Sequence, residues 1–309
     1  MTLLYKINMC IKMSGRLFIA VIISASVLVI AGCHSSQLRT TYYQGFGNPE
    51  ELQEFFRYKE GDKIIVSGHR GGREKHFPEN SIENFQNVLN QMPAFFEIDP
   101  RLTKDSVIVL MHDEMLDRTT TATGKLADYT WKELKDIRLK DTEGNITNYH
   151  IPSLEEVIKW SKDKTIINLD KKDVPSWMIV NIIRRLDAET HVMLTVHNGS
   201  QARYYFDRLP GIMLSVFIRN TKEYEDIVIS GVPWRNMIAY VGPAINESNA
   251  EIVKKLRANG VRCMVSYATT YDKVKTREER ESAYRYGLKA MPDIIESDLP
   301  LEIWSLISY

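Results

Sequence analysis

Two histidines, two alternating carboxylates and an arginine fall within one short segment of this 309-residue chain. They lie in Ser67-Gly68-His69-Arg70-Gly71-Gly72, Glu97-Ile98-Asp99 and His112-Asp113, with Pro78-Glu79-Asn80 between them. Each sits at the end of a β-like apolar run or just beyond it. His69 and His112 form a candidate proton-transfer pair. One imidazole can activate a nucleophile and the other can protonate a leaving alkoxide, and imidazole titrates near neutrality. Glu97 and Asp99 stand two apart on a strand, so their side chains share a face. On the inner face of a barrel that paired charge is costly unless compensated. A hard divalent cation with oxygen ligands is the natural compensation. Asp170 closes the apolar run Thr165-Ile166-Ile167-Asn168-Leu169 and supplies a third acid. Lys172 shares its face and can meet phosphate. Arg70 offers a planar fork for phosphate oxygens, and Gly71-Gly72 lets the backbone approach a substrate. Glu79 and Asn80 suit either ordering of this loop or lining of the metal seat. His197-Asn198 ends another strand and reads first as a loop histidine, second as pocket lining. The chemistry these parts serve best is cleavage of a phosphate ester.

Such side chains need a frame that gathers strand ends. Strand-like runs occur at Ile64–Gly68, Phe95–Leu102, Val107–Met111, Thr165–Asp170, His191–Val196, Met213–Ile218, Met237–Val241, Val261–Tyr267 and Asp293–Ser297. Helical stretches fall near Ser81–Gln91, Ser153–Ser161, Ser176–Asp187, Ser200–Asp207, Glu223–Ile229, Asn249–Asn259 and Asp272–Tyr286. This alternation predicts a parallel sheet with helical crossovers, and about eight units predict a (β/α)8 TIM barrel. One connection, Thr103-Lys104-Asp105-Ser106, is too short for a parallel crossover. It predicts an antiparallel hairpin of Phe95–Leu102 with Val107–Met111, folded at Lys104-Asp105 so that His112 lies opposite Glu97. Residues 113–150 form a polar insertion with one helix over Thr130–Ile137, placed to cap the barrel mouth.

The first residues have a different character. Lys6, Lys12 and Arg16 precede an apolar run from Leu17 to Ile30, and Ile30-Ala31-Gly32-Cys33 follows. A basic start, a short apolar core and small residues before a cut site describe a secretory signal. The last four residues resemble a bacterial lipobox, which makes Cys33 the lipidated first residue of an exported protein anchored to the membrane. The organisation expected is therefore a signal over residues 1–32, a tether and short helical leader over 33–61, and the barrel over 62–309. Once Cys10 leaves with the signal and Cys33 carries lipid, Cys263 alone remains and no internal disulfide can form. Lys+Arg and Asp+Glu both total 40. This balance argues against nucleic acid as a partner and against broad attraction to an acidic membrane surface, so attraction for an anionic substrate must be local.

In order and spacing, His69-Arg70-Gly71, Pro78-Glu79-Asn80-Ser81, Glu97-Ile98-Asp99, Thr103-Lys104-Asp105, His112-Asp113 and Asp117-Arg118-Thr119-Thr120 resemble the glycerophosphodiester phosphodiesterase family. Ile151-Pro152-Ser153-Leu154-Glu155-Glu156-Val157 resembles its helix entry after the insertion, and Ile295-Glu296-Ser297-Asp298-Leu299-Pro300 its closing strand. With the lipobox, the chain resembles lipoprotein-type members. The resemblance implies a TIM barrel, one Ca²⁺ or Mg²⁺ ion, and hydrolysis of small glycerophosphodiesters to an alcohol and glycerol 3-phosphate. By matching motif it implies His69 and His112 as the acid/base pair, Glu97, Asp99 and Asp170 as metal ligands, and Arg70 and Lys172 as phosphate holders. Three positions depart from the family pattern. Asp170-Lys171-Lys172 stands where Glu-x-Lys is usual. Ser297-Asp298 stands where Thr-Asp is usual. Tyr267 is the nearest aromatic to a position where a Trp packs on glycerol. Two other readings remain open: a phospholipase of the C or D type, and a surface lipoprotein that binds phosphorylated ligands without turnover.

Overall fold

The apolar runs pair in space as the lengths between them require. The structure, a computed structural model, describes residues 42–307. The signal segment and Cys33 lie outside the described residues, among which no helix is long and apolar enough to cross a membrane. β1 (Ile65–His69) and β2 (Phe95–Ile98) pair in parallel. The chain then forms two antiparallel hairpins, β3 (Pro100–Leu102) with β4 (Ile108–Leu110) and β5 (Arg138–Lys140) with β6 (Ile146–His150). It returns as β7 (Ile167–Leu169), β8 (Val192–Val196), β9 (Met213–Phe217), β10 (Met237–Tyr240), β11 (Cys263–Ser266) and β12 (Ile294–Ser297). β12 pairs with β1 and closes a barrel of eight parallel strands in the order β1-β12-β11-β10-β9-β8-β7-β2. This is the (β/α)8 barrel expected, with the insertion between β4 and β7.

Helices fill the crossovers. α1 (Pro49–Phe56) precedes the barrel, α2 (Ile82–Leu89) joins β1 to β2, α3 (Trp131–Leu134) lies in the insertion, and α4 (Leu154–Ser161) leads into β7. α5 (Ser176–Leu186), α6 (Gly199–Phe206), α7 (Thr221–Ser230), α8 (Ala250–Ala258) and α9 (Arg277–Leu288) join successive strands, and α10 (Pro300–Ile307) follows β12. Their starts are written locally. The side chains of Asn48, Ser81, Asn198, Asn220 and Thr276 each accept a hydrogen bond from a backbone N–H in the first turn. Ser153 and Glu156 cap α4 reciprocally. Such caps satisfy amides that no helical carbonyl can reach.

Strand parity divides the core. Phe96, Ile98, Ile167 and Leu169 face outward to the helices, packing with Phe85, Val88, Ile179 and Ile183. Phe95, Ile166, Met193, Met213, Ile238, Met264 and Ile294 face inward at the N-terminal end of the barrel, where Leu52 and Phe56 of α1 plug it. Phe56 meets Phe95 edge-on, ring centroids 5.6 Å apart. A third cluster, with Val109, Met111, Leu116, Leu126, Leu134 and Leu139, belongs to the insertion and its approach.

The structure corrects four expectations. Phe95–Leu102 is two strands, because β2 stays in the barrel and Pro100 begins the arm that leaves it to pair with β4. Met111 N–H donates to the Asp99 carbonyl at 2.9 Å, so His112 follows at the level of Ile98 and not of Glu97. The turn that starts at Thr103 uses one more residue than a fold at Lys104-Asp105 allows. The insertion helix is shorter than Thr130–Ile137, and the polar β5–β6 hairpin and α10 carry no strong apolar period and were not anticipated.

Candidate active site

The inner face of the barrel changes character along each strand. On β2 it reads Phe95, then Glu97, then Asp99, and on β12 Ile294, Glu296, Asp298. Into and beyond β7 it reads Ile166, Asn168, Asp170. The side chains at these steps share a face because strand residues alternate. The apolar members meet the α1 plug and the charged ones reach the C-terminal mouth, where barrel active sites are built.

Oxygen atoms of Glu97, Asp99 and Asp170 lie within 4.8 Å of one another. Burial, with the charge of Asp99 beside it, pushes the Glu97 carboxyl well above its ordinary range. Asp99 is also buried, but the charges of Lys172 and Arg70 outweigh that burial and hold it low. Three hard oxygen donors in one repulsive cluster fit a divalent cation, which relieves both the desolvation and the like-charge cost. Lys172 Nζ stands 2.8 Å from Asp99 Oδ1 and 2.5 Å from Asp170 Oδ2, so its immediate partners are these acids. Asn80 clamps Asp99 from both sides. Its Nδ2 donates to Asp99 Oδ2 at 2.7 Å, and its Oδ1 accepts from the Asp99 N–H at 3.1 Å.

His69 ends β1 beside this cluster. Its Nδ1 is 2.6 Å from Asp298 Oδ1 and its Nε2 is 3.9 Å from Glu97 Oε2. Burial opposes a charged ring, but the Asp298 hydrogen bond and the charges of Glu97 and Glu296 prevail and raise its pKa to about 9. Asp298 also takes Lys273 Nζ at 2.7 Å. It is held down at about 2 despite its burial by His69 and Lys273. Arg70 follows in left-handed backbone (φ 56°). Its N–H donates to Glu97 Oε2 at 3.1 Å, its Nη1 lies 3.3 Å from Glu79 and its Nε 3.5 Å from Asp99. Gly71 and Gly72 are also left-handed, and packing leaves no room for a side chain at either. A Cβ on Gly71 would stand 2.7 Å from the Phe85 ring, and one on Gly72 2.7 Å from the Pro300 ring. The glycines are needed for packing.

His112 lies beyond β4. Its Nδ1 meets Asp113 Oδ1 at 2.7 Å. Arg118 then bridges two acids, donating to Asp113 Oδ2 at 2.6 Å and to both oxygens of Glu79 at 2.8 Å. Polar contacts thus run from His112 through Asp113, Arg118 and Glu79 to Arg70, the residue that follows His69. This also assigns Glu79 to ordering the loop and Asn80 to the seat itself.

On another part of the rim the lining is aromatic. His197 packs at a tilt against Phe217 with centroids 4.5 Å apart, Phe217 likewise against Tyr240 at 4.7 Å, and His197 Nε2 is 3.9 Å from Asp170. His197 therefore lines the mouth. Tyr267 does not: it is fully buried against Tyr271 and Tyr284. Asp298, Glu296, Asp113 and Arg118 were given no role from sequence. The alternation Ile294-Glu296-Asp298 is the same signal that marked Glu97 and Asp99, and it points to two of them.

The model of the glycerophosphoryl diester phosphodiesterase family matches residues 69–283. The chain is 28% identical to a glycerophosphodiester phosphodiesterase of Caldanaerobacter subterraneus subsp. tengcongensis, over 79% of this chain and 98% of that one. It is similar to a crystal structure of a glycerophosphoryl diester phosphodiesterase from Parabacteroides distasonis, with 48% identity, a TM-score of 0.85, and coverage of 87% of this chain and 94% of that one. A phosphodiesterase of Oleispira antarctica, in complex with the product sn-glycerol-3-phosphate, shares the fold at 18% identity and a TM-score of 0.61, over 80% and 98% of the two chains.

Proposed function

The chain belongs to the glycerophosphoryl diester phosphodiesterase family and is a phosphoric diester hydrolase, and from that premise we propose that it cleaves glycerophosphodiesters to an alcohol and sn-glycerol 3-phosphate, with His69 and His112 as the proton-transfer pair. One observation carries the reading: His69 has one ring nitrogen on Asp298 at 2.6 Å and the other facing Glu97, within the carboxylate cluster, at 3.9 Å. An imidazole so oriented beside a charged centre is arranged for proton transfer. His112 repeats the arrangement through Asp113. In both rings Nδ1 is engaged by a carboxylate and Nε2 remains to exchange a proton. One ring takes the proton of the attacking water or of a neighbouring substrate hydroxyl, and the other protonates the leaving oxygen. Arg70 and Lys172 hold the phosphoryl oxygens and offset the negative charge that builds during the reaction. Glu97, Asp99 and Asp170 would hold a Ca²⁺ or Mg²⁺ ion, which would supply Lewis-acid charge to the phosphoryl group. Phe217 and Tyr240, not Tyr267, offer their faces to the carbon skeleton of glycerol. The product held by the Oleispira antarctica relative supports the product class.

His69→Ala and His112→Ala should each lower turnover of glycerophosphocholine about 10²-fold or more with little change in melting temperature. EDTA should abolish wild-type turnover, and Ca²⁺ or Mg²⁺ should restore it. Near-normal rates in both single variants would overturn the assignment. The proposal extends to location: export through residues 1–32 and a lipid on Cys33 hold the enzyme to a bacterial membrane on its periplasmic or cell-surface side, and the mass of the mature N-terminal peptide tests the export and the lipid.

A further inference from the structure

The space beside His69 continues past the catalytic residues. A cavity of about 180 Å³, lined by His69, Arg70, Lys273 and Asp298, adjoins a second of about 310 Å³ beside the β5–β6 turn. The two share Arg73, Glu79, Arg118 and Thr142. Charge along this channel is not balanced group by group. Glu79 is occupied by Arg118 and Arg70. Asp298 is shared between His69 and Lys273, so Arg73, 4.0 Å away and half exposed, has no carboxylate of its own. Lys140 Nζ donates to the Asp117 carbonyl at 3.0 Å and forms no ion pair among the described residues.

Besides Glu79, two acids line the outer cavity, but neither pairs with Arg73 or Lys140. Asp141 turns its oxygens to the Glu143 and Asn145 amides of its own turn and to the Asn145 side chain. Glu143 lies 3.8 Å from Lys75. A guanidinium and an ammonium are left facing a space that would hold about ten waters at ~30 Å³ each, ample for a phosphate or carboxylate group. The reacting phosphate is assigned to Arg70, on the wall of the first cavity, and to Lys172, which lines neither, so Arg73 and Lys140 are left for a different negative charge.

Resting on the diesterase reading above, we infer that this channel is a second anion subsite, and that the favoured substrates are diesters whose alcohol moiety carries an anionic group of its own, such as a phosphomonoester. The intact enzyme with its cation is assayed on glycerophosphoinositol and on glycerophosphoinositol 4-phosphate, which differ only in the extra phosphate. The expected result is a kcat/KM at least tenfold higher for the phosphorylated diester, with the ratio falling toward one in Lys140→Gln and in Arg73→Gln. It should also fall as added salt shortens the range of the field. Equal kcat/KM for the two diesters, or a preference that survives both substitutions, overturns the subsite and leaves the diesterase reading standing. If neither diester is cleaved, that reading fails. Calorimetric titration with the same two compounds then decides the subsite: tenfold tighter binding of the phosphorylated one, lost in Lys140→Gln, supports it, and equal affinity overturns it.

Discussion

The two ends of the barrel are built on the same strands and the same faces, yet they do opposite work. At the N-terminal end the inward residues are Phe95, Ile166 and Ile294, sealed by Leu52 and Phe56 of α1. Four residues further along, the inward positions are Asp99, Asp170 and Asp298. The first end buries apolar surface and makes the fold stable. The second gathers charge that would be costly to bury alone and that stands only because Asn80, Lys172, Arg70 and His69 partner it. The lesson is that distance along a strand, not strand identity, separates stability from chemistry in this fold.

The sharpest way to break that comparison is Phe95→Ala. It should cost about 3–5 kcal/mol of stability in urea melts, while turnover per folded molecule stays within about threefold. A collapse of turnover without loss of stability would join the two ends. Asp298→Asn should act in reverse, lowering kcat about 10- to 100-fold, or ~1.4–2.7 kcal/mol of barrel-mouth catalysis, because the His69 ring loses the partner that sets its orientation. An unchanged kcat would make Asp298 a structural residue. The smallest effect is a pH signature of the same pair, read in EDTA. His69 is raised from 6.5 to about 9 on folding, so its contribution is complete below 6.5 and fades as pH rises through 9. Asp298 is lowered from 3.8 to about 2, so its contribution is complete above 3.8 and fades as pH falls through 2. The stability gap between wild type and Asp298→Asn should therefore be widest near pH 5 and narrow toward both extremes. A gap that stays flat with pH would show that the pair is not ionic.

Much of this was legible in the chain. Period-2 runs located the strands, a four-residue connection marked the hairpin, and the spacing of Glu97 and Asp99 put two acids on one face. What escaped notice depends on contacts that close only in three dimensions. His69 and Asp298 are 229 positions apart, and Arg118 reaches Glu79 across 39. Nothing local to His69 announces Asp298, although alternation along β12 does aim it inward. The packing need at Gly71 and Gly72 is hidden for the same reason: the residues that forbid a side chain there, Phe85 and Pro300, lie on two different helices. The β5–β6 hairpin is hard to read because its residues are mostly polar and half-buried, which leaves little apolar period to detect.

The position of α1 has a practical corollary. The Tyr42 N–H donates to the Leu89 carbonyl at the end of α2, and that of Gln44 to the Lys164 carbonyl just before β7, both at 2.8 Å. The polypeptide therefore enters the domain at the pole remote from the reacting groups. An affinity tag, carrier protein or resin attached ahead of Tyr42 sits behind the barrel and leaves its opening unobstructed.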